Sequence, residues 1–498
     1  MTASSPRTTP SSPRTTPSTS GTSGPVPLPM PKFAAAARSA LADTGQRRNL
    51  RGATAAARER EAEAVAATDD WDDLREAGRA IGEATLLRLD AHLEDLERAV
   101  TGAGGTVHWA ADAAEARRVV TDLVRAIGAD EVVKSSSATT REIGLNVALA
   151  RAGVAVQETA LADLVVQLGG DEPSHPLSPA LHRDRAEIRE LFGRTMPAAG
   201  PGLSDDPAAL AAAARAHLRD RFLRAPVAVT GANFLVAETG TVVVVESEGN
   251  ARMCLTLPGT LITVAGIDKV VPTWADLEVF LQLLPRASSG ERMTPYVSSW
   301  TGVTPGDGPR EFHLVLLDNG RTRALADEVG RAALRCVHCS ACANVCPVYE
   351  RAGGRAYGPV YPGPIGAILI PQLNGVGGAA NASLPYASTL CGACADVCPV
   401  KIDIPEVLVR LRGAVVESRR RRPVPTPELA LMRGMAWTMG DPRRYETALR
   451  RGTKWARLLS RGGRIRRLPG LLGKWTEARD LPAPPSESFR TWWTRRQA

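Results

Sequence analysis

The chain has 498 residues, 44% hydrophobic and 23% charged, which is enough for a sizeable core with appendages. It contains no run of roughly 20 apolar residues of the kind a membrane-spanning helix needs. It also lacks a basic stretch followed by an apolar core near the N-terminus, so the expectation is a cytoplasmic protein. Formal net charge is +8, but residues 406–498 hold 22 Lys+Arg against 8 Asp+Glu, a local +14, while residues 1–405 are net acidic. Such a tail suits an acidic protein partner or the anionic inner face of a membrane. No zinc-finger spacing, RNA-binding aromatic pattern or recognition helix accompanies it, so nucleic acid is not expected as a partner.

In chain order, residues 1–32 are mostly Ser, Thr, Pro and Gly and are expected to be disordered. Residues 33–69 form an Ala- and Arg-rich helical segment. From Asp70 to about 102, Leu74, Ile81, Leu89, Leu93, Leu96 and Val100 recur at helical spacing. An alternation of strands and helices then begins. Strands are expected at 105–109, 131–134, 154–158, 227–230, 241–246, 261–264 and 311–317. Helices are expected at 111–127, 139–152, 183–193, up to Phe222, and at 274–284. This predicts an α/β fold with an open sheet over residues 70–325. Residues 330–405 read as a separate small cysteine-rich module. Residues 406–480 read as a basic helical region holding Trp437, Trp455 and Trp475, and residues 481–498 as a loose tail. The arginines Arg419–Arg422 are a solvated helix end or a docking patch.

Seven of the eight cysteines lie between 336 and 398; the eighth is Cys254. Packed spacing in a long chain reads as metal ligation rather than a disulfide scaffold. The first motif is Cys336-x2-Cys339-x2-Cys342-x3-Cys346-Pro347 and the second is Cys391-x2-Cys394-x3-Cys398-Pro399. Thiolates select iron–sulfur clusters, zinc or copper, and the first motif matches the run of two-cluster ferredoxin modules, including the Pro that zinc spacings do not call for. In such modules the last cysteine of each run serves the other cluster. One cluster then takes Cys336, Cys339, Cys342 and Cys398. The other takes Cys346, Cys391 and Cys394 and lacks a fourth thiolate. Ser388 stands where that cysteine would be. The serine, water, a more distant ligand such as Cys254, or nothing fills the place, and a 3Fe-4S cluster is one form the site can take. Cys254, between Met253 and Leu255, otherwise reads as a buried apolar residue. His338 is either a tuner of cluster potential or a surface residue. Gly392 and Ala393 are small enough to turn backbone amides toward sulfide. Two clusters on interdigitated motifs point to electron transfer, since a redox sensor needs only one.

Polar residues at strand ends form a second candidate site. Lys134 ends a strand ahead of Ser135–Ser137 and a helix, a place where anions bind and where a 2-hydroxy or 2-oxo carboxylate would fit. The alternative is a serine-rich cap beside a solvated lysine. Asn233, Glu238 and Thr239 lie between two strands, and Glu248-Gly-Asn250 follows the second; these make a pocket or ordinary turns. Lys269 and His182 are weaker candidates.

Several long segments carry a family resemblance: Lys134–Asn146 (KSSSATTREIGLN), Thr230–Thr241 (TGANFLVAETGT), Gly266–Pro272 (GIDKVVP), Tyr357–Gly366 (YGPVYPGPIG) and Leu384–Ser388 (LPYAS). From about residue 35 to 480 the chain resembles the lactate utilisation protein B family. The resemblance implies a LUD-type α/β domain followed by an all-helical ferredoxin-like module with two 4Fe-4S clusters. It implies that Cys336, Cys339, Cys342 and Cys346 are ligands. It also implies two partners, an iron–sulfur subunit with cysteine-rich repeats and a small LUD-domain subunit, which together with this chain oxidise L-lactate to pyruvate. The expected role is to pass electrons toward a respiratory acceptor, with a regulatory or scaffold protein, or the lactate-oxidising subunit itself, as alternatives.

Overall fold

Runs of Val, Ile and Leu form the middle of a parallel sheet because strands covered on both faces need apolar residues at every position. The computed structural model describes residues 31–175, 177–196, 202–358, 360–421 and 426–497. The strands up to residue 317 are β1 Thr106–Ala110, β2 Glu131–Lys134, β3 Ala155–Glu158, β4 Val227–Thr230, β5 Phe234–Val236, β6 Thr241–Glu246, β7 Thr260–Gly266, β8 Val270–Val271, β9 Tyr296–Trp300 and β10 Glu311–Leu317. Six of them form an open sheet in the order β1-β10-β7-β4-β2-β3, with every neighbour parallel. The remaining four make a second sheet, β8-β5-β6-β9.

Alternation along the parallel strands divides two cores. Val227, Val229, Ile262, Val264 and Val315 face one side, against Val120 and Val124 of the helix Ala113–Ala126 and Leu145 and Leu149 of the helix Leu145–Arg151. Ala228, Leu261, Ala265, Leu314 and Leu316 face the other. Each such Val, Leu or Ile, removed fully from water, contributes on the order of 1.5–3 kcal/mol. On that second face the core continues without a break through Leu96 and Val100, the second sheet and the cysteine-rich segment.

The boundary expected near residue 330 is therefore not a gap in packing. The described residues up to Val415 belong to one unit, with Val416–Ala498 as another. The long helix Thr44–Ala66 belongs to the first unit; its Leu50 is buried, and Arg58 donates to the carbonyl of Asn344 at 2.7 Å.

Other boundaries differ from expectation. The helix expected over 139–152 is two, Ala138–Glu142 and Leu145–Arg151, because Gly144 between them adopts φ 65°, a left-handed turn cheap only for glycine. Strands β5, β8 and β9 and the helix Asn250–Thr256 were not expected. β5 and β8 are three and two residues long, too short to show a period. The expected disorder of 1–32 falls almost wholly outside the described residues.

In the second unit, Thr426 and Asp441 cap the helices Pro427–Met439 and Pro442–Leu458, each with proline in its first turn. The tail expected to be loose holds a further helix, Phe489–Gln497, and Leu481–Pro482 pairs with Arg464–Ile465. Ile465 is the only buried apolar residue among the described residues of this unit. Arg419 pairs with Glu428, Arg420 and Arg421 approach Glu417, and Arg422 lies outside the described residues.

Candidate iron–sulfur site and the adjoining cleft

Each cysteine motif folds as a tight loop that turns backbone N–H groups toward sulfur. His338 and Ser340 take φ of 58° and 69°, rare for side-chain-bearing residues, and the chain curls around the thiols there. The N–H of His338 lies 3.4 Å from Cys336 Sγ. Cys346 caps the helix Pro347–Ala352; its Sγ accepts the Tyr349 N–H at 3.5 Å while Pro347, lacking an N–H, opens the first turn. Cys398 Sγ accepts the Ile402 N–H at 3.3 Å.

The thiols fall into two neighbourhoods. Burial, then Cys398 and Cys336, push the Cys339 thiol upward; burial, then Cys339, Cys336 and Cys398, do the same to Cys342. Burial, then Cys346 and Cys391, push Cys394 up to about 12. Cys336, Cys339, Cys342 and Cys398 are neighbours that line one cavity, and Cys346, Cys391 and Cys394 are neighbours of one another. Among the described residues no three His, Cys, Asp or Glu side chains converge tightly enough for a lone metal ion. Thiols set around a space suit a multi-iron cluster held at its corners, and bound iron reverses the balance that keeps buried thiols protonated. Cys391 is the exception: it is exposed, and the Ala393 N–H and then the Thr389 hydroxyl hold its pKa below the ordinary value. Gly392, before Ala393, sits at φ 91°.

The first thiol group opens into a cavity of about 320 Å³. Its lining includes Cys336, Cys339, Cys342 and Cys398 together with residues that follow β2, β4 and β6, among them Ser135–Ser137, Asn233 and Glu248. The ends of β2 and β4 are the carboxyl edge of the open parallel sheet, where ligands bind, and β6 comes from the second sheet.

Charged groups tie the sheet to the first motif. Lys269 Nζ donates to Cys336 O at 3.0 Å and pairs with Asp268 at 2.9 Å. Arg321 joins Asp268 to Glu142, and Tyr361 donates to Glu142 at 2.5 Å. Burial would raise the Asp268 carboxyl, but Lys269 and Arg321 overcome it and hold the group well below the usual range. His338 stacks on Tyr361 at 5.3 Å with its Nδ1 3.9 Å from Cys336 Sγ. The ring is half-buried; burial, then Lys269, push its pKa down to about 3. The helix Gly363–Asn374 starts close against Tyr361: a Cβ on Gly366 would lie 1.5 Å from Tyr361 O.

Other expected site residues part company. Lys134 is not a solvated lysine or a free anion ligand; it is buried and paired with Glu158 at 2.9 Å. Asn233 lines the cavity, but β5 intervenes and carries Glu238 and Thr239 to its far end, where Glu238 accepts the Trp274 N–H. Asn250 lines the cavity beside Glu248. His182 bonds Asp171 and Ser174 away from it. Cys254 is fully buried, 3.8 Å from Thr159 Oγ1, with a thiol pushed up to about 12 by burial. Ser388 Oγ accepts the Leu390 N–H, and the hydroxyl that reaches the Cys391 thiol is that of Thr389. Sequence reading missed Thr389, Arg141 and Tyr361; no local pattern marks them, although the segments containing Arg141 and Tyr361 stood out as long motifs.

Comparison with known proteins finds matches to three segments of the chain. Residues 93–317 match the LUD domain, residues 332–402 the 4Fe-4S dicluster domain, and residues 412–498 the C-terminal domain of lactate utilisation protein B. Lactate utilization protein B of Oceanobacillus iheyensis is 43% identical over 86% of this chain and 88% of its own length. Lactate utilization protein B 1 of Bacillus mycoides is 40% identical over 91% and 94%, and the Exiguobacterium protein 39% over 93% and 97%. With an open parallel sheet, an adjoining iron–sulfur segment and relatives that align almost from end to end, the chain belongs to the lactate utilisation protein B family and serves lactate utilisation as an iron–sulfur protein.

Proposed function

We propose that this chain is the electron-transfer component of a system that oxidises L-lactate to pyruvate, holding two clusters and passing electrons toward a respiratory acceptor. Cys336, Cys339, Cys342 and Cys398 hold one cluster; Cys346, Cys391 and Cys394 hold the other, with a fourth position not filled by cysteine. The observation that carries the reading is the pair of thiol neighbourhoods built from two crossing motifs inside one core. When bound, the clusters supply one-electron carriers.

The protein's own residues set the direction. The first group is enclosed and faces the cleft at the sheet edge, so electrons enter there. The second reaches the surface at Cys391, so electrons leave toward a partner. Backbone N–H groups of His338, Tyr349 and Ile402 stabilise negative charge on sulfur, which eases reduction. The partners are an iron–sulfur subunit with cysteine-rich repeats and a small LUD-domain subunit. The basic C-terminal unit docks on an anionic surface: Trp437, Trp455 and Trp475 are 65%, 69% and 66% exposed among its arginines. No helix among the described residues is long and apolar enough to cross a membrane.

Anaerobic reconstitution followed by potentiometry tests the role. About eight iron with eight sulfide, or about seven iron if the incomplete cluster has three, is expected, with both clusters reducible over a physiological range. Zinc without acid-labile sulfide, or clusters that never change redox state while partner binding persists, would overturn it.

A further inference from the structure

The cavity is lined by more than the first thiol group. Besides the four cysteines, its wall includes Ser135–Ser137, Arg141, Asn233, Glu246 and Glu248. Its polar wall is built rather than incidental: Ser135 and Ser137 are buried, and Asn233 is fixed by accepting the Val245 N–H at 2.9 Å.

Two charged groups there lack full partners. Arg141 lines the cavity and makes no ion pair among the described residues; its guanidinium bonds only Ser136 Oγ and Ser137 O, at 3.4 and 3.5 Å. Lys269, the other cation, is already committed to Asp268 and Cys336. Glu248 stands at the rim. Its outer edge meets solvent, yet one carboxylate oxygen accepts the Leu161 N–H at 2.9 Å, and crowding around the group, then Asp163 and Glu246, raises its pKa.

We infer that this cleft binds a small 2-hydroxy or 2-oxo monocarboxylate within this chain, with the carboxylate on Arg141, the hydroxyl or keto oxygen accepting from the Asn233 amide, and the hydroxyl proton of a 2-hydroxy acid turned toward Glu248. A guanidinium is matched to a carboxylate by its paired donors. A phosphate dianion would face the carboxylates of Glu246 and Glu248, whereas a monoanion with a hydroxyl turns its donor toward them. The acid is thereby bound next to the enclosed thiol group, where electrons enter.

The inference rests on the proposed role for the choice of acid. Anaerobic holo-protein is titrated calorimetrically with L-lactate, pyruvate, acetate and sulfate, and the reduced cluster is followed by EPR. Saturable binding of L-lactate or pyruvate, at least about tenfold tighter than acetate or sulfate, with a change in the signal of one cluster, is expected. Arg141→Gln weakens it about tenfold or more, and Ala232→Phe, which fills the cavity from the β4–β5 turn, removes it; both keep the cluster spectrum and melting temperature. No saturable binding, equal binding of sulfate, or unchanged binding in both variants would overturn the inference. A chain that binds the acid but passes no electrons defeats the role and leaves the site. Lactate-dependent reduction of the reconstituted system without binding to this chain defeats the site and leaves the role.

Discussion

The ammonium group of Lys269 lies 3.0 Å from the carbonyl oxygen of Cys336, so the turn after β7 is tied directly to the first cysteine of the iron–sulfur segment. The side chain is buried, and its charge lowers the Cys336 thiol against the larger upward push of burial. A fixed cation beside a cluster favours its reduced, more negative state. Lys269→Met is expected to shift the midpoint potential of the enclosed cluster downward by on the order of 50 mV, one charge acting through a partly screened interior. EPR-monitored redox titration reads the shift. An unchanged potential with an intact spectrum would mean that Asp268 already cancels the charge.

Ser388 gives the second test. Its hydroxyl caps Leu390 rather than reaching the thiols, so the position is free to change. Ser388→Cys is expected to complete the second cluster, raising iron from about seven toward eight per chain where the wild type holds a three-iron form. Iron analysis and EPR of the oxidised protein measure this. Identical iron content and spectrum in the two proteins would show that position 388 does not face the cluster.

Glu61 is buried in the helix Thr44–Ala66, and burial raises its pKa from 4.5 to about 7. The fold therefore favours the protonated acid. That stabilisation is complete below pH 4.5 and is lost as pH rises through 7. Glu61→Gln is expected to make the protein more stable at pH 8 by about 2–3 kcal/mol and to change little at pH 4.5. Anaerobic urea unfolding at the two pH values checks the sign; a variant less stable at pH 8 contradicts it.

Removal of residues 427–498 tests the basic unit. The truncated protein is expected to keep its clusters and to lose co-sedimentation with vesicles containing anionic phospholipid. For the full chain that binding falls as salt rises. Equal binding of both proteins to vesicles and to the partner subunits would leave the basic helices without a docking role.

What the sequence determined by itself is local or periodic. The Cys346-Pro347 step specifies a thiol followed by a helix start, because proline suits a first turn and the cysteine before it caps a free N–H group. Continuous apolar runs at 227–230 and 260–266 specify strands covered on both faces, and hence a parallel open sheet. The tertiary structure decided what depends on contacts between distant segments. It paired Lys134 with Glu158, which a strand-end lysine does not announce. It inserted the three-residue β5 and so parted Asn233 from Glu238. It brought Lys269 and Tyr361 to the first motif, from 67 residues before Cys336 and 23 residues after His338. It joined the cysteine loop to the sheet edge in one cavity. Those outcomes rest on burial, where a charge must find a partner wherever the chain brings one, and no spacing along the sequence records which partner that is.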